Sequence, residues 1–280
     1  MKNCLKLMRP KHYLKNVLVL LPLVFSGRVG EGPLLGAAAA AFGAFCLLSS
    51  AVYILNDLRD APQDRTDPAR RDRPIASGAV RPGGAAVLCA VLLCAAAALG
   101  VLGRFPAGAW LALAAYLAVN LAYSLGLKNV PLVDVALLVS GFLLRLLCGA
   151  AATGIELSGW LSLTVISASF YLSLGKRRGE LRRRGVQGRA VLRYYNEAFL
   201  DRSMQTCLTL AIVFYSLWSV SSGHDHMVWT VPLVILLCMK YSMTVEGSSG
   251  GDPIEVIYQD KLLLVLAALF AALTLALIYL

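Results

Sequence analysis

Nine apolar stretches of near-spanning length recur along the chain, at residues 16–27, 33–55, 84–103, 106–126, 132–153, 158–175, 205–222, 227–243 and 262–280. A lipid interior offers no water to an unpaired backbone amide, and about 20 consecutive apolar residues make a helix that crosses it. The pattern predicts an all-α fold, a polytopic membrane bundle of nine transmembrane helices with a polar cavity facing the cytoplasm. A single integral-membrane domain is expected to span 1–280. Composition agrees, because 58% of residues are hydrophobic and only 15% charged, against about a quarter charged in soluble domains. The first and eighth stretches fall short of a full span and are expected to extend into flanking polar sequence or to tilt. No A-x-A-like cleavage site follows Phe25-Ser26-Gly27, so the first stretch reads as retained and not as a signal peptide.

The cations set the orientation. Of 26 Lys and Arg residues, only Arg28 and Arg104 fall in the alternate loops, Arg145 lies inside an apolar stretch, and Lys240 stands at the cytoplasmic end of the eighth. All the others crowd one side, which the positive-inside rule makes cytoplasmic, so the C-terminus is expected outside. The location is then the cytoplasmic membrane, with N-terminus and active site facing the cytoplasm. A net charge of +10 could suggest nucleic acid, yet these cations border membrane helices and no aromatic-interleaved soluble domain exists to hold a strand. Seven cysteines show no CxxC pair and sit mostly in apolar runs, where they read as packing residues. The Ala-rich runs 37–41 and 95–98 allow close helix contact.

Three polar clusters interrupt the cytoplasmic side. The first is Asn56, Asp57, Asp60 and Asp64, spaced NDxxDxxxD, which directly continues the second apolar stretch. Carboxylates three and four apart share one side of a helix end. Clustered oxygens suit Mg²⁺, which keeps waters and takes substrate phosphates as further ligands. Charge at a membrane interface is costly and usually functional. Pro62 disfavours helix at Ala61, so Asp64 is expected to reach a metal from a turn. Arg73 lies in the basic strip that follows.

The second cluster, YSLGLKNVPLVD, places Tyr123, Lys128 and Asp134 around the fourth connection. Arg145 falls within about 20° of Asp134 on a helix and some 16 Å deeper at 1.5 Å per residue, and two opposite charges on one stripe suggest a polar cavity. The third, GKRRGEL, offers Lys176, Arg177 and Glu180 immediately after an apolar helix, where they could grip a phosphate. Arg182, Arg183 and Arg184 read as a solvated face. Lys15, in RPKHYLKN, enters the first helix at the same level, as either a snorkelling lysine or a phosphate contact. Asp252, Glu255 and Asp260 read as caps or outer supports, and His224 and His226 flanking Asp225 as a solvated outer loop.

NDxxDxxxD after a second transmembrane helix, nine helices and a later polar motif resemble the UbiA-type intramembrane prenyltransferase superfamily, over nearly the whole chain. Members acting on aromatic acceptors carry a second aspartate-rich motif after helix six, where this chain has the cationic GKRRGEL. With YSLGLKNVPLVD, RPKHYLKN and RPIASG, the pattern is similar to the decaprenyl-phosphate phosphoribosyltransferase branch. One departure is Asp67-Pro68 where a His-Pro is expected.

The resemblance implies Mg²⁺-dependent transfer of a 5-phosphoribosyl group from phosphoribosyl diphosphate to a polyprenyl phosphate, with inversion at C1 and a place in cell-envelope synthesis. It implies Asp57, Asp60 and Asp64 as metal ligands, with Asp57 and Asp60 also catalytic. Asp134 would steady positive charge at the sugar and Tyr123 would position it. Lys15, Asn56, Arg73, Lys128, Lys176, Arg177 and Glu180 would bind substrate. Homo-oligomerisation is left open. Two rival readings are a prenyltransferase with a prenyl diphosphate donor and a small acceptor, and a non-enzymatic carrier using Asp134 and Arg145.

Overall fold

The computed structural model describes residues 2–68, 70–185, 189–224, 226–247 and 260–280. Among these residues every regular element is helical. Ten α-helices run α1 Lys2–Met8, α2 Leu21–Phe25, α3 Gly32–Asp64, α4 Pro82–Leu102, α5 Ala107–Leu125, α6 Val133–Thr153, α7 Gly159–Arg184, α8 Glu197–Ser221, α9 Val231–Gly247 and α10 Lys261–Tyr279. Among the described residues seven segments are long and apolar enough to cross a membrane: α3, α4, α5, α6, α8, α10 and Met227–Val245, which covers most of α9.

The difference from the nine expected spans has local causes. The stretch 16–27 is split between a 3₁₀ segment, Pro10–Val19, and the five-residue α2. The stretch 158–175 forms the apolar part of α7, 26 residues long, whose Ser and Thr content and charged end lower its hydropathy.

The chain packs as two compact units. The first comprises Met1–Leu125 and Leu144–Ile155, the second Gly126–Leu143 and Glu156–Leu280. In the first unit α3 is the central element. It starts at an extended Glu31 with Pro33 in its first turn, where a missing N–H costs nothing. Its 33 residues reach about 50 Å at 1.5 Å per residue, beyond a hydrocarbon core of about 30 Å. The helix is thus longer than one crossing requires, and its acids lie in its last three turns. Pro62 does not end it: the helix continues to Asp64 with Pro62 in the final turn, so Asp64 is helical and not on a turn.

The unit-one core joins Val19, Ala41, Ala44, Phe45, Leu48, Ala109, Tyr116 and Cys148. The 3₁₀ segment fits against it in register. At three residues per turn Tyr13, Asn16 and Val19 form one row, and Tyr13 bonds Ser50 at 2.9 Å while Asn16 donates to Ser49 at 3.1 Å. A Cβ on Gly149 of α6 would stand 1.9 Å from the Val19 carbonyl oxygen, so the two backbones pack directly.

In the second unit α7 and α8 pack along their length, around Val135, Tyr171, Leu174, Leu192, Leu200, Met204, Tyr241 and Leu263. Asn196 caps α8 by accepting from the Phe199 N–H at 2.8 Å. Asp260 caps α10 through Leu262 and Leu263, and also pairs with Lys240 at 2.6 Å. It is a helix cap, one of the two roles its sequence position suggested. Large apolar side chains stand outward on both units, among them Val87, Val101, Leu111, Val220, Met243, Val265 and Leu269. Faces of this kind mark contact with lipid or with another protein, and on helices of spanning length they suit lipid.

Candidate functional site

Two polar centres form, one in each unit. In the first, α3 presents Asp57 and Asp64 seven residues apart, within about 20° of one another around the axis. Both are buried, at 3% and 1% exposure. Arg73 joins them, its Nη1 donating to Asp57 Oδ1 at 3.1 Å and to Asp64 Oδ2 at 2.7 Å. Arg9 reaches in from the N-terminal segment, its Nη2 lying 2.7 and 2.9 Å from the two Asp57 oxygens. It does so from a left-handed backbone, φ 52, and stacks 5.1 Å over the Tyr53 ring. Strain of that kind persists where surrounding contacts impose it.

Asp60 is turned about 60° from Asp57 around the helix. Asn56 Nδ2 donates to Asp60 Oδ2 at 3.2 Å, while Asn56 Oδ1 accepts from Ser124 of α5 at 3.0 Å. The amide is thereby oriented from both ends. Asp60 is half-exposed, in contrast to its two neighbours.

No group of three or more His, Cys, Asp or Glu side chains among the described residues converges as a metal cage. Two carboxylates nonetheless suit Mg²⁺, which is usually held by one or two of them plus substrate phosphates. Asp64 supplies a specific opening: its Oδ1 is buried and makes no hydrogen bond to any described residue, with Arg70 Nη1 3.7 Å away. A buried carboxylate oxygen left this way is costly unless a cation completes it. The donor set fits a hard divalent ion.

The second centre gathers around Asp134 and Arg177, each 0% exposed at the side chain. Arg177 Nε donates to Asp134 Oδ2 at 2.5 Å and Nη1 donates to Glu180 at 2.8 Å. Arg189 Nε lies 3.2 Å from the same Glu180 oxygen. Tyr195 donates to Asp134 Oδ1 at 2.7 Å. Burial alone would raise the Glu180 carboxyl, but Arg189, Arg177 and Lys176 override it and hold it below the usual range. Lys176 and Lys128, in the same unit, are half-buried. Arg178 pairs with Asp201, while Arg182 and Arg183 are exposed as expected of a solvated face, Arg182 pairing with the exposed Glu197 at 2.9 Å.

Two expectations change. Asp134 was expected beside a sugar ring, but both its oxygens are bonded and its surface is closed, which fits a positioning role. Arg177 was expected to grip phosphate, but it spends its charge on Asp134 and Glu180. Asp134 and Arg145, expected on one stripe, fall in the second and the first unit respectively, and each bonds partners within its own unit. Arg145 donates to Asn16 Oδ1 at 2.7 Å and to Tyr116 at 3.0 Å, and lies over the rings of Phe45 and Tyr116. Lys15 and Tyr123 are half-buried in the first unit. Asp225, Asp252 and Glu255 lie outside the described residues. Arg9, Arg70, Ser124, Arg189 and Tyr195 carry no signal in spacing that separates them from neighbouring cations, serines and tyrosines.

A model of the UbiA prenyltransferase family matches residues 17–257. Similar proteins include the decaprenyl-phosphate phosphoribosyltransferase of Corynebacterium glutamicum, 34% identical, with 94% of this chain and 82% of that protein covered. The decaprenyl-phosphate phosphoribosyltransferase of Mycobacterium tuberculosis is 35% identical, with 95% and 91% covered. The fold is also that of a UbiA homolog from Archaeoglobus fulgidus bound to DMAPP and Mg²⁺, with TM-score 0.74 at 17% identity over 99% of both chains.

Proposed function

The chain belongs to the UbiA prenyltransferase family, beside its decaprenyl-phosphate phosphoribosyltransferases, and from that premise we propose that it moves a 5-phosphoribosyl group from phosphoribosyl diphosphate to a polyprenyl phosphate. Residues 1–280 act as one integral-membrane domain, with the cation-rich ends cytoplasmic and the C-terminus outside. The observation that carries the reading is the pair of buried α3 carboxylates, Asp57 and Asp64, with one Asp64 oxygen that takes no hydrogen bond from the described residues.

In the reaction the bond from ribose C1 to the diphosphate oxygen breaks, and a bond from C1 to an oxygen of the lipid phosphate forms on the opposite face, with inversion. The nucleophile is already an anion, so the site needs no strong base. Its needs are charge neutralisation and alignment. Asp64 and Asp57, with the half-exposed Asp60, would hold Mg²⁺, which supplies Lewis-acid stabilisation of charge on a departing diphosphate. Asn56, fixed by Ser124, presents Asp60. Arg73 bridges Asp57 and Asp64 and spaces them, and it is a candidate contact for substrate phosphate once a metal takes up the two acids.

In the second unit the described cations of the centre outnumber its carboxylates, which suits a phosphate ligand. Lys176 and Lys128 are the candidate contacts there, with Lys15 another in the first unit. Asp134, Arg177 and Glu180 hold the ends of α6 and α7 together. Arg145 is packed among Asn16, Tyr116 and Phe45, contacts that support a structural role for it over that of a carrier's intramembrane charge.

The test is acceptor choice. Purified protein with Mg²⁺ and phosphoribosyl diphosphate should release diphosphate when polyprenyl phosphate is added. Diphosphate release only from a prenyl diphosphate with a small aromatic acceptor would instead favour the prenyltransferase rival.

A further inference from the structure

One hydroxyl in the second unit links the segments that carry the candidate phosphate contacts. Tyr195 donates to Asp134 Oδ1 at 2.7 Å and accepts from the Leu132 N–H at 2.7 Å. Leu132 sits at φ 65, a left-handed conformation that side-chain-bearing residues rarely adopt. The bond to Tyr195 is what fixes this residue at the mouth of α6. The 3₁₀ turn Leu127–Asn129, which bears Lys128, packs against the 3₁₀ turn Ala190–Tyr194, and Tyr195 follows directly.

On its other side Asp134 holds Arg177, the residue after Lys176. The Tyr195 ring is 6% exposed and stacks on Phe199 at 6.1 Å, so the ring has a packing role separate from its hydroxyl. Burial and the bond to Asp134 push the hydroxyl up to about 12, which keeps it a donor at any working pH.

We propose that Tyr195 is a positioning residue for phosphoribosyl transfer: its hydroxyl fixes the Lys128 turn and the Arg177 end of α7 as one frame, and Lys128 engages donor phosphate only when so fixed. This rests on the function proposed above. A hydroxyl that merely filled space could be exchanged for hydrogen with little effect on substrate affinity. One that sets the Lys128 turn cannot.

The experiment is a double-mutant cycle on the full-length protein, with Tyr195→Phe, Lys128→Ala and both together, reading KM for phosphoribosyl diphosphate and kcat at saturating polyprenyl phosphate. Each single change should raise KM about tenfold and leave kcat within about twofold, the loss expected for one hydrogen bond to a charged group. The double variant should be no more than about threefold worse than the worse single one, since coupled residues are not additive. Tyr194→Phe, the exposed neighbour, should match the wild type in both constants. A KM that multiplies to about a hundredfold in the double variant, or that does not move in Tyr195→Phe, overturns the proposal.

Hydrogen exchange on the unaltered protein gives a second reading should Tyr195→Phe fail to fold. The Leu132 amide should be protected like the amides inside α6, and rapid exchange there overturns the proposal too. Absence of any phosphoribosylated lipid from wild-type protein would strike the proposed function instead, and the exchange measurement would still decide the role of Tyr195 in holding the turn.

Discussion

Asp134 and Arg177, both fully buried, share a 2.5 Å ion pair that fastens the first turn of α6 to the charged end of α7. A buried pair is weak evidence of net stabilisation, because desolvation offsets attraction. Removing one partner leaves a charge without compensation.

Arg177→Met should therefore destabilise the protein by about 3–5 kcal/mol. Asp134→Leu combined with Arg177→Met should recover most of that loss while activity stays low. Thermal unfolding in detergent, run beside turnover, checks both halves. Equal instability of single and double variants would contradict the ion-pair account.

Asp64→Asn should lower turnover by at least about a hundredfold, the scale of losing an electrostatic stabiliser at a reacting centre. Its fold should survive, because Arg73 keeps its bond to Asp57. Asp57→Ala should be as inactive and less stable, since Arg9 and Arg73 both lose a partner. Circular dichroism and Mg²⁺-titrated activity separate the two effects.

The pH dependence of stability follows from two opposite shifts. Glu180 is held below its ordinary range, so its contribution is complete above the unfolded carboxylate value and is lost as pH falls through the folded one. The difference in melting temperature between wild type and Glu180→Gln should close as pH falls below the ordinary carboxyl value of 4.5. Tyr195 is raised from 10.0 to about 12, so its contribution is whole below the unfolded value and disappears as pH climbs through that interval. Tyr195→Phe should lack this alkaline loss.

Gly149→Ala should cost about 3 kcal/mol or more, the upper end of overpacking penalties, because its new methyl would meet the Val19 carbonyl oxygen. Gly36→Ala in α3 meets nothing within 4 Å and should be neutral or gain about 0.5–1 kcal/mol from reduced chain entropy. Paired melting curves test the contrast.

The helical class and the α3 acids were legible because apolar runs of spanning length have one solution in lipid, and because Asp57 and Asp64 repeat at seven residues. The pairing with Arg73 lay close enough in sequence to be anticipated as charge balance. Arg9 was not legible, since its contact depends on its own left-handed backbone and reaches Asp57, 48 positions away. The first stretch misled for a related reason. Its apolar content suggested a spanning helix, whereas Pro10, Pro22 and the Gly149–Val19 approach set a tighter segment whose inward row is Tyr13, Asn16 and Val19. Tyr195 sits beside Tyr194 in the sequence, and only burial distinguishes them: one is 6% exposed, the other 56%.

The measurement closest to the central claim is the fate of label at ribose C1. With purified protein, Mg²⁺ and polyprenyl phosphate, C1-labelled phosphoribosyl diphosphate should pass its label into an organic-extractable lipid, and chelation or Asp64→Asn should stop it. Label that stays in the aqueous phase, while the same preparation prenylates a small acceptor, would contradict the account.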